Sequence, residues 1–253
     1  MVVHDCFMYS GETDALKIRL HELNDVVDRF VIVEGNQTFT RKPKDYLLDE
    51  IWREIEPWHD RIHRVPVEWW PKTKTPWDIE HFQRDQIRRG LNELGAKPDD
   101  TVIVSDADEI PRASVVKKAN VWGGHVHLDM NTYYFKLNWK IPDKWNQGGR
   151  PFMARYVQMG SPQEMRDDQR KLIIDGGWHF SYLGLAEEVQ LKIQSFAHSE
   201  YNTPEFTDLK HLERSIRKGL DPFKRFELEP VEVDETYPQW VLDNKDQLRH
   251  LFR

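Results

Sequence analysis

Cysteine is nearly missing from this sequence: Cys6 stands alone among 253 residues. A disulfide framework is therefore excluded, and a reducing compartment is indicated. Cys6 lies in an apolar first strand, so it is not read as a catalytic thiol. Basic excess is missing too. The formal charge is −7 and the pI near 5.9, which argues against a nucleic-acid binder with its basic face. No run approaches the ~18 apolar residues of a membrane span. No basic-then-apolar leader precedes the first strand, which begins almost at Met1. Together these absences predict a soluble, cytoplasmic protein without a transmembrane segment. Neither the G-X-X-X-X-G-K-S/T loop nor the Rossmann glycine fingerprint occurs. Repeats, low-complexity tracts and clear linkers are absent, so residues 1–253 are expected to form one domain with a sizeable core.

Tryptophan, by contrast, is plentiful, with ten in the chain. Several border polar residues or proline, as at Trp69-Trp70-Pro71, Trp139, Trp145 and Trp178. Tryptophan is mostly core and interface material, and in such settings it also suits stacking on sugar rings.

Hydrophobic periodicity outlines an alternating chain. Strands are expected at Val2 to Met8, Arg29 to Glu34 and Ile62 to Val67, and a central buried one at Val102, Ile103 and Val104. Helices are expected at Glu12 to Leu23, at Asp45 to Glu56 (ended by Pro57) and at Asp78 to Leu94, the last stopped by Gly95. This βα order predicts a mostly parallel twisted sheet with flanking helices. Beyond it, His125 to Trp139 reads as two strands or one bulged strand. Asp143 to Pro151 is a mobile-loop candidate, and Phe152 to Met159 and Lys171 to Ile174 are short strands. Ala186 to Glu200 and Glu205 to Gly219 are helices. Residues 221–253 form a polar tail with one short helix.

The chemistry concentrates in Thr101 to Pro111, Thr-Val-Ile-Val-Ser-Asp-Ala-Asp-Glu-Ile-Pro. A buried β-branched run ends in Asp106, Asp108 and Glu109. Ligands of open α/β sheets bind outside the carboxyl ends of strands. Carboxylates this close repel one another unless a cation joins them, and hard oxygen donors suit Mn²⁺ or Mg²⁺. Pro111 predicts a following helix, so the plainer alternative is a polar turn in which Asp108 or Glu109 caps that helix. An Asp-X-Asp at a strand end is the usual device for nucleoside diphosphates: Asp108 is expected to bind metal, and Asp106 to contact ribose or a water. His179, after Gly176-Gly177-Trp178, is the expected second metal ligand, with His198 as the alternative. A hydrogen-bonded core role for His179 stands beside that reading. Asp175 and Glu200 are the candidate general bases, with Asp129 also open. Arg84, Lys192 and Lys42 are available for a diphosphate, and Glu34 ends the second strand, where substrate contact is expected.

These residues assembled, the chain resembles glycosyltransferase family 17. The animal members of that family are β-1,4-mannosyl-glycoprotein β-1,4-N-acetylglucosaminyltransferases. The likeness rests on Asp5-Cys6-Phe7, Leu20-X-X-Leu23-X-Asp25-X-Val27-Asp28, Phe30-Val31-Ile32-Val33-Glu34 and Thr38-Phe39-Thr40. It continues through Gln83-Arg84, Ser105-Asp106-Ala107-Asp108-Glu109-Ile110-Pro111, Gly177-Trp178-His179-Phe180-Ser181 and Lys192-Ile-Gln-Ser195-Phe-Ala-His198. The resemblance implies a GT-A-like fold, inversion at the anomeric carbon and a nucleotide-sugar donor, UDP-GlcNAc by family. Residues 1–111 would then be the nucleotide-sugar half and residues 112–220 the acceptor side. No anchor or stem like that of the animal members is seen. A soluble bacterial or viral type is therefore expected, acting on a glycan or a lipid-linked sugar. Two other classes are kept beside it: a non-catalytic carbohydrate-binding module, and a metal-dependent phosphoesterase or nucleotidyl-transfer enzyme.

Overall fold

A computed structural model describes residues 1–73, 75–119, 124–142 and 149–253. Four parallel strands, β1 (Val3–Met8), β2 (Arg29–Gly35), β3 (Ile62–Val67) and β4 (Thr101–Asp106), lie in the spatial order β4-β1-β2-β3. Their side chains alternate between two faces. Phe7, Phe30, Ile32 and Ile103 join one core with Leu16 and Leu20 of α1 (Thr13–Glu22). Cys6, Val31, Val33, Val102 and Val104 join another, beneath helices α2 (Pro76–Asp85) and α3 (Ile87–Glu93). Burial on both faces is why β2 and β4 carry apolar runs, whereas β3, at the sheet edge, buries only Val65 and Val67.

Beyond β4 the sheet turns mixed. A two-residue turn, Ala107-Asp108, leads into β5 (Glu109–Pro111), after which α4 spans Ala113–Val116. β6 (Val126–Tyr134), β7 (Trp139–Lys140) and β8 (Phe152–Arg155) are antiparallel neighbours, with β8 clamped against β4. After α5 (Pro162–Asp167), β9 (Lys171–Ser181) pairs parallel with β6 and antiparallel with β5. Helices α6 (Ala186–Ser195), α7 (Pro204–Thr207) and α8 (Leu209–Lys218) follow, then β10 (Glu229–Pro230) and α9 (Gln239–Asp243). The result is a mixed α/β fold around a ten-stranded sheet that runs unbroken past residue 111. Parallel order holds from β1 to β4 and gives way to antiparallel pairing on the β8 side.

Several expected elements differ. The Asp45 to Glu56 helix is replaced by 3₁₀ turns at Leu47–Asp49 and Trp52–Arg61, with Pro57 inside the second. Short 3₁₀ geometry tolerates a proline that an α-helix would not. The helix expected from Asp78 is capped by Thr75, whose hydroxyl accepts from the Asp78 N–H, and it breaks into α2 and α3 near Gln86. Pro111 ends a strand and does not open a helix. The tail is not peripheral: Tyr237, Val241, Leu248 and Leu251 pack with Ile18, Ile110, Trp178 and Phe180 in one cluster. Most of the candidate loop lies outside the described residues, Trp145 included. Among the described residues no helix is long and apolar enough to cross a membrane.

Candidate active site

β1 sits at the point where the strand order reverses, with β2 on one side and β4 on the other. Such a switch point opens a crevice at the carboxyl ends of the strands. Here the crevice lies between the loop after β1 and the turn after β4, which the register sets side by side by pairing Met8 with Asp106.

A buried cation shapes the turn from below. Arg19 of α1 is fully buried. Its Nε and Nη2 donate to both oxygens of Asp5 at 2.7 and 2.6 Å, and its Nη1 donates to the carbonyls of Asp106 and Glu109 at 2.9 and 2.8 Å. These carbonyls are thereby turned inward and the carboxylates outward. The far side is closed by β9. His179 pairs with Glu109 across the β5–β9 ladder, and the Phe180 N–H donates to the Asp108 carbonyl at 2.9 Å. A Cβ at Gly177 would stand 2.1 Å from the Ile110 carbonyl oxygen. Only glycine lets the two strands close.

The cleft above this floor has a volume of about 260 Å³. Asp108 Oδ2 accepts from Lys192 Nζ at 2.7 Å, and its Oδ1 is 3.5 Å from His179 Nε2. Burial would raise the Asp108 pKa, but Lys192 and His179 outweigh it and hold the carboxyl far below its usual range. For His179, burial disfavours the imidazolium, yet the Asp108 carboxylate pulls its pKa up. Asp106 lies between two arginines, 3.0 Å from Arg84 and 3.2 Å from Arg166. Against burial, these guanidiniums bring its pKa down to about 2. Glu109 accepts from Arg166 at 2.7 and 3.1 Å and from the Asp106 N–H at 2.7 Å. Arg84 also holds Glu80 at 2.7 Å, while its buried Nε–H has no partner among the described residues.

Asp106, Asp108, Glu109, Arg84, His179 and Lys192 thus meet in one cleft, and five other expected site residues do not. Asp175 sits in the β9 bulge with φ +55°, its carboxylate accepting from Arg112 and Asn131 at 2.6 and 2.7 Å. Glu200 is exposed and bonded to His198, which does line the cleft. Glu34 accepts from Lys44 and from the Leu47 N–H, holding a 3₁₀ turn outside the cleft. Asp129 and Lys42 also lie off the lining. Trp139 and Trp178 are buried, so they pack the core, and among the described residues the tryptophan on the cleft is Trp77, edge-on to His198 at 4.5 Å.

Sequence reasoning missed Arg19, Arg166 and Glu12. Arg19 had a signal: a charge three residues after Leu16, on the apolar face of α1. Arg166 had none, since it sits in the polar run Gln163 to Arg170.

As a metal site the donor set is open. Among the described residues no three His, Cys, Asp or Glu side chains form a cage. Asp108 and His179 offer two donors, and magnesium-type sites commonly use one or two protein ligands plus substrate phosphates. The described lining carries Glu12, Glu80, Asp106, Asp108 and Glu109 against Arg84, Arg166 and Lys192. That acid excess fits a divalent cation.

The profile of glycosyltransferase family 17 matches residues 1–232. The chain belongs to glycosyltransferase family 17. Two relatives are the β-1,4-mannosyl-glycoprotein 4-β-N-acetylglucosaminyltransferases of Rattus norvegicus and Homo sapiens. They are 25% and 24% identical over 95% of this chain and over 52% and 53% of their own lengths. This family 17 chain therefore spans about half the length of the curated relatives it matches. Among solved structures, mannose-6-phosphate isomerase from Helicobacter pylori covers 86% of the chain and 81% of its own, at 14% identity and a TM-score of 0.33. A likeness that low carries no argument.

Proposed function

We propose that the chain is an inverting, metal-dependent glycosyltransferase of GT-A type. It moves a sugar, GlcNAc by family, from a nucleotide-diphosphate donor such as UDP-GlcNAc to a hydroxyl of a glycan or lipid-linked sugar. The observation that carries this reading is the Asp108–His179 pair, 3.5 Å apart in the lining of the switch-point cleft. Asp108 and His179 would hold Mn²⁺ or Mg²⁺. When bound, the ion supplies neutralisation of the charge that builds on the departing diphosphate. Lys192 and Arg84 would bind the diphosphate oxygens. Asp106 and Glu109 position Arg84 and Arg166 along the same wall, and Asp106, still partly exposed, contacts the donor ribose or a water. Inversion needs one displacement and no covalent nucleophile, which fits a cleft lined by carboxylates and cations. The lone buried cysteine fits action in the cytoplasm.

A thermal-shift screen of nucleotide sugars with and without Mn²⁺ tests the reading. A donor at a hundredfold excess over its Kd should stabilise the fold by about 2.7 kcal/mol, and only with the ion present. Asp108→Ala should abolish that ion-dependent shift and transfer; it also unpairs Lys192, so the shift is read against the variant's own unliganded Tm. Near wild-type transfer by Asp108→Ala in EDTA would sink the metal role.

A further inference from the structure

Behind the loop that follows β1 lies a second cavity, about 450 Å³ in volume. Ser10, Glu12, Tyr182 and Lys192 line both it and the acid cleft, so these four side chains form the partition. The second chamber differs in chemistry. Thr13, Thr38 and Ser195 line it together with the acids Asp14 and Glu50, while Tyr9 and Phe180 are buried in its wall. Its described acids, Glu12, Asp14, Glu50 and Glu188, outnumber its cations, Lys44 and Lys192. An anion is disfavoured there. Hydroxyl-bearing residues beside carboxylate acceptors suit a neutral, polyhydroxylated ring.

The partition itself holds a carboxylate with spare capacity. Asp106, Asp108, Glu109 and Glu80 are each held by arginine or lysine within 3.2 Å. Glu12 is different. Its Oε2 accepts from the Ser10 N–H at 2.9 Å, and its Oε1 has Lys192 Nζ only at 3.7 Å. The same ammonium touches Asp108 at 2.7 Å, so one lysine links Glu12 to the carboxylate at the phosphate end.

Building on the transferase reading above, we propose that the second cavity is the subsite for the acceptor sugar and that Glu12 is the catalytic base. Glu12 Oε1 takes the proton of the acceptor hydroxyl. The freed oxygen pair forms the new bond to the anomeric carbon. The bond from that carbon to the phosphate oxygen breaks, and its electron pair leaves with the diphosphate. Asp175 and Glu200 have no part, because neither lines either chamber.

Glu12→Gln keeps the side-chain volume and an oxygen for the Ser10 N–H, so the fold should survive. With the full chain and Mn²⁺, calorimetry measures UDP binding. Release of UDP from UDP-GlcNAc, with a panel of methyl glycosides led by methyl β-mannoside, measures transfer. Glu12→Gln should bind UDP within threefold of wild type, keep the acceptor KM and lose about 10²–10⁴-fold in kcat, the range general-base loss spans. Leu191→Trp, at an exposed position on the second cavity, should raise the acceptor KM at least tenfold with UDP binding unchanged. If Glu12→Gln transfers within threefold of wild type, the base assignment fails and the transferase reading stands. An unchanged acceptor KM in Leu191→Trp, or a wild type that binds UDP yet glycosylates none of the panel, overturns the acceptor subsite. A wild type that binds neither UDP nor UDP-GlcNAc overturns the transferase reading, and this assignment with it.

Discussion

Arg19 places all three nitrogens of its guanidinium beneath the acid turn, on Asp5 and on carbonyls of the turn. Replacing it by methionine keeps the apolar stem and strands the fully buried Asp5 carboxylate. Removing one partner of such a pair costs about 3–5 kcal/mol. Arg19→Met should therefore lower the urea midpoint sharply and also lose UDP binding. The sequence makes Asp106 and Asp108 readable because acids stand out against the apolar run before them. It hides Arg166, whose partners lie 57 and 60 residues away in the chain. Asp175 and Glu200, the bases inferred from the sequence alone, lie off the cleft lining. Nearness to Gly176-Gly177-Trp178-His179 along the chain does not fix direction, and the positive φ at Asp175 aims its carboxylate at Arg112.

Among the elements, β5 and β9 decide the site. Asp106 to Pro111 looks like a strand passing into a helix, and locally nothing contradicts that. The β9 partner, some seventy residues on, makes the second half a strand, a tertiary choice no local pattern encodes. Gly176-Gly177 was the visible trace of it. A methyl group at Gly177 would meet the Ile110 carbonyl and the Met130 sulfur, at 2.1 and 2.6 Å. Overpacking of this kind costs about 1–3 kcal/mol or more. Gly177→Ala should lower the Tm and, by shifting His179 away from Asp108, remove the Mn²⁺-dependent part of any nucleotide-sugar shift. Differential scanning fluorimetry measures both. The βα alternation of residues 1–106 was legible because β1, β2 and β4 are buried on both faces, whereas the later strands mix parallel and antiparallel pairing through contacts distant in sequence.

Over the whole molecule, pH acts through the far end of β4. Burial tends to raise the Asp100 pKa, but N–H donors of Val2 and Lys97, together with His4, hold it below its ordinary value of 3.8. The folded pKa is thus the lower one. The stabilisation is complete above the unfolded value and is lost as pH falls below about 4 through the folded value. Asp100→Asn should cost about 1–3 kcal/mol at pH 7, and the gap from wild type should narrow near pH 3, as urea unfolding at the two pH values would register. The family profile ends at residue 232, but the fold does not. Tyr237 donates to the Leu137 carbonyl at 3.0 Å, and Val241 and Leu251 are fully buried. An expression boundary drawn where the family match stops would leave Ile110 and Trp178 as the floor of an open apolar trench directly under the acid turn. Such a shortened product should aggregate on purification, and its silence in an assay would say nothing about Asp108.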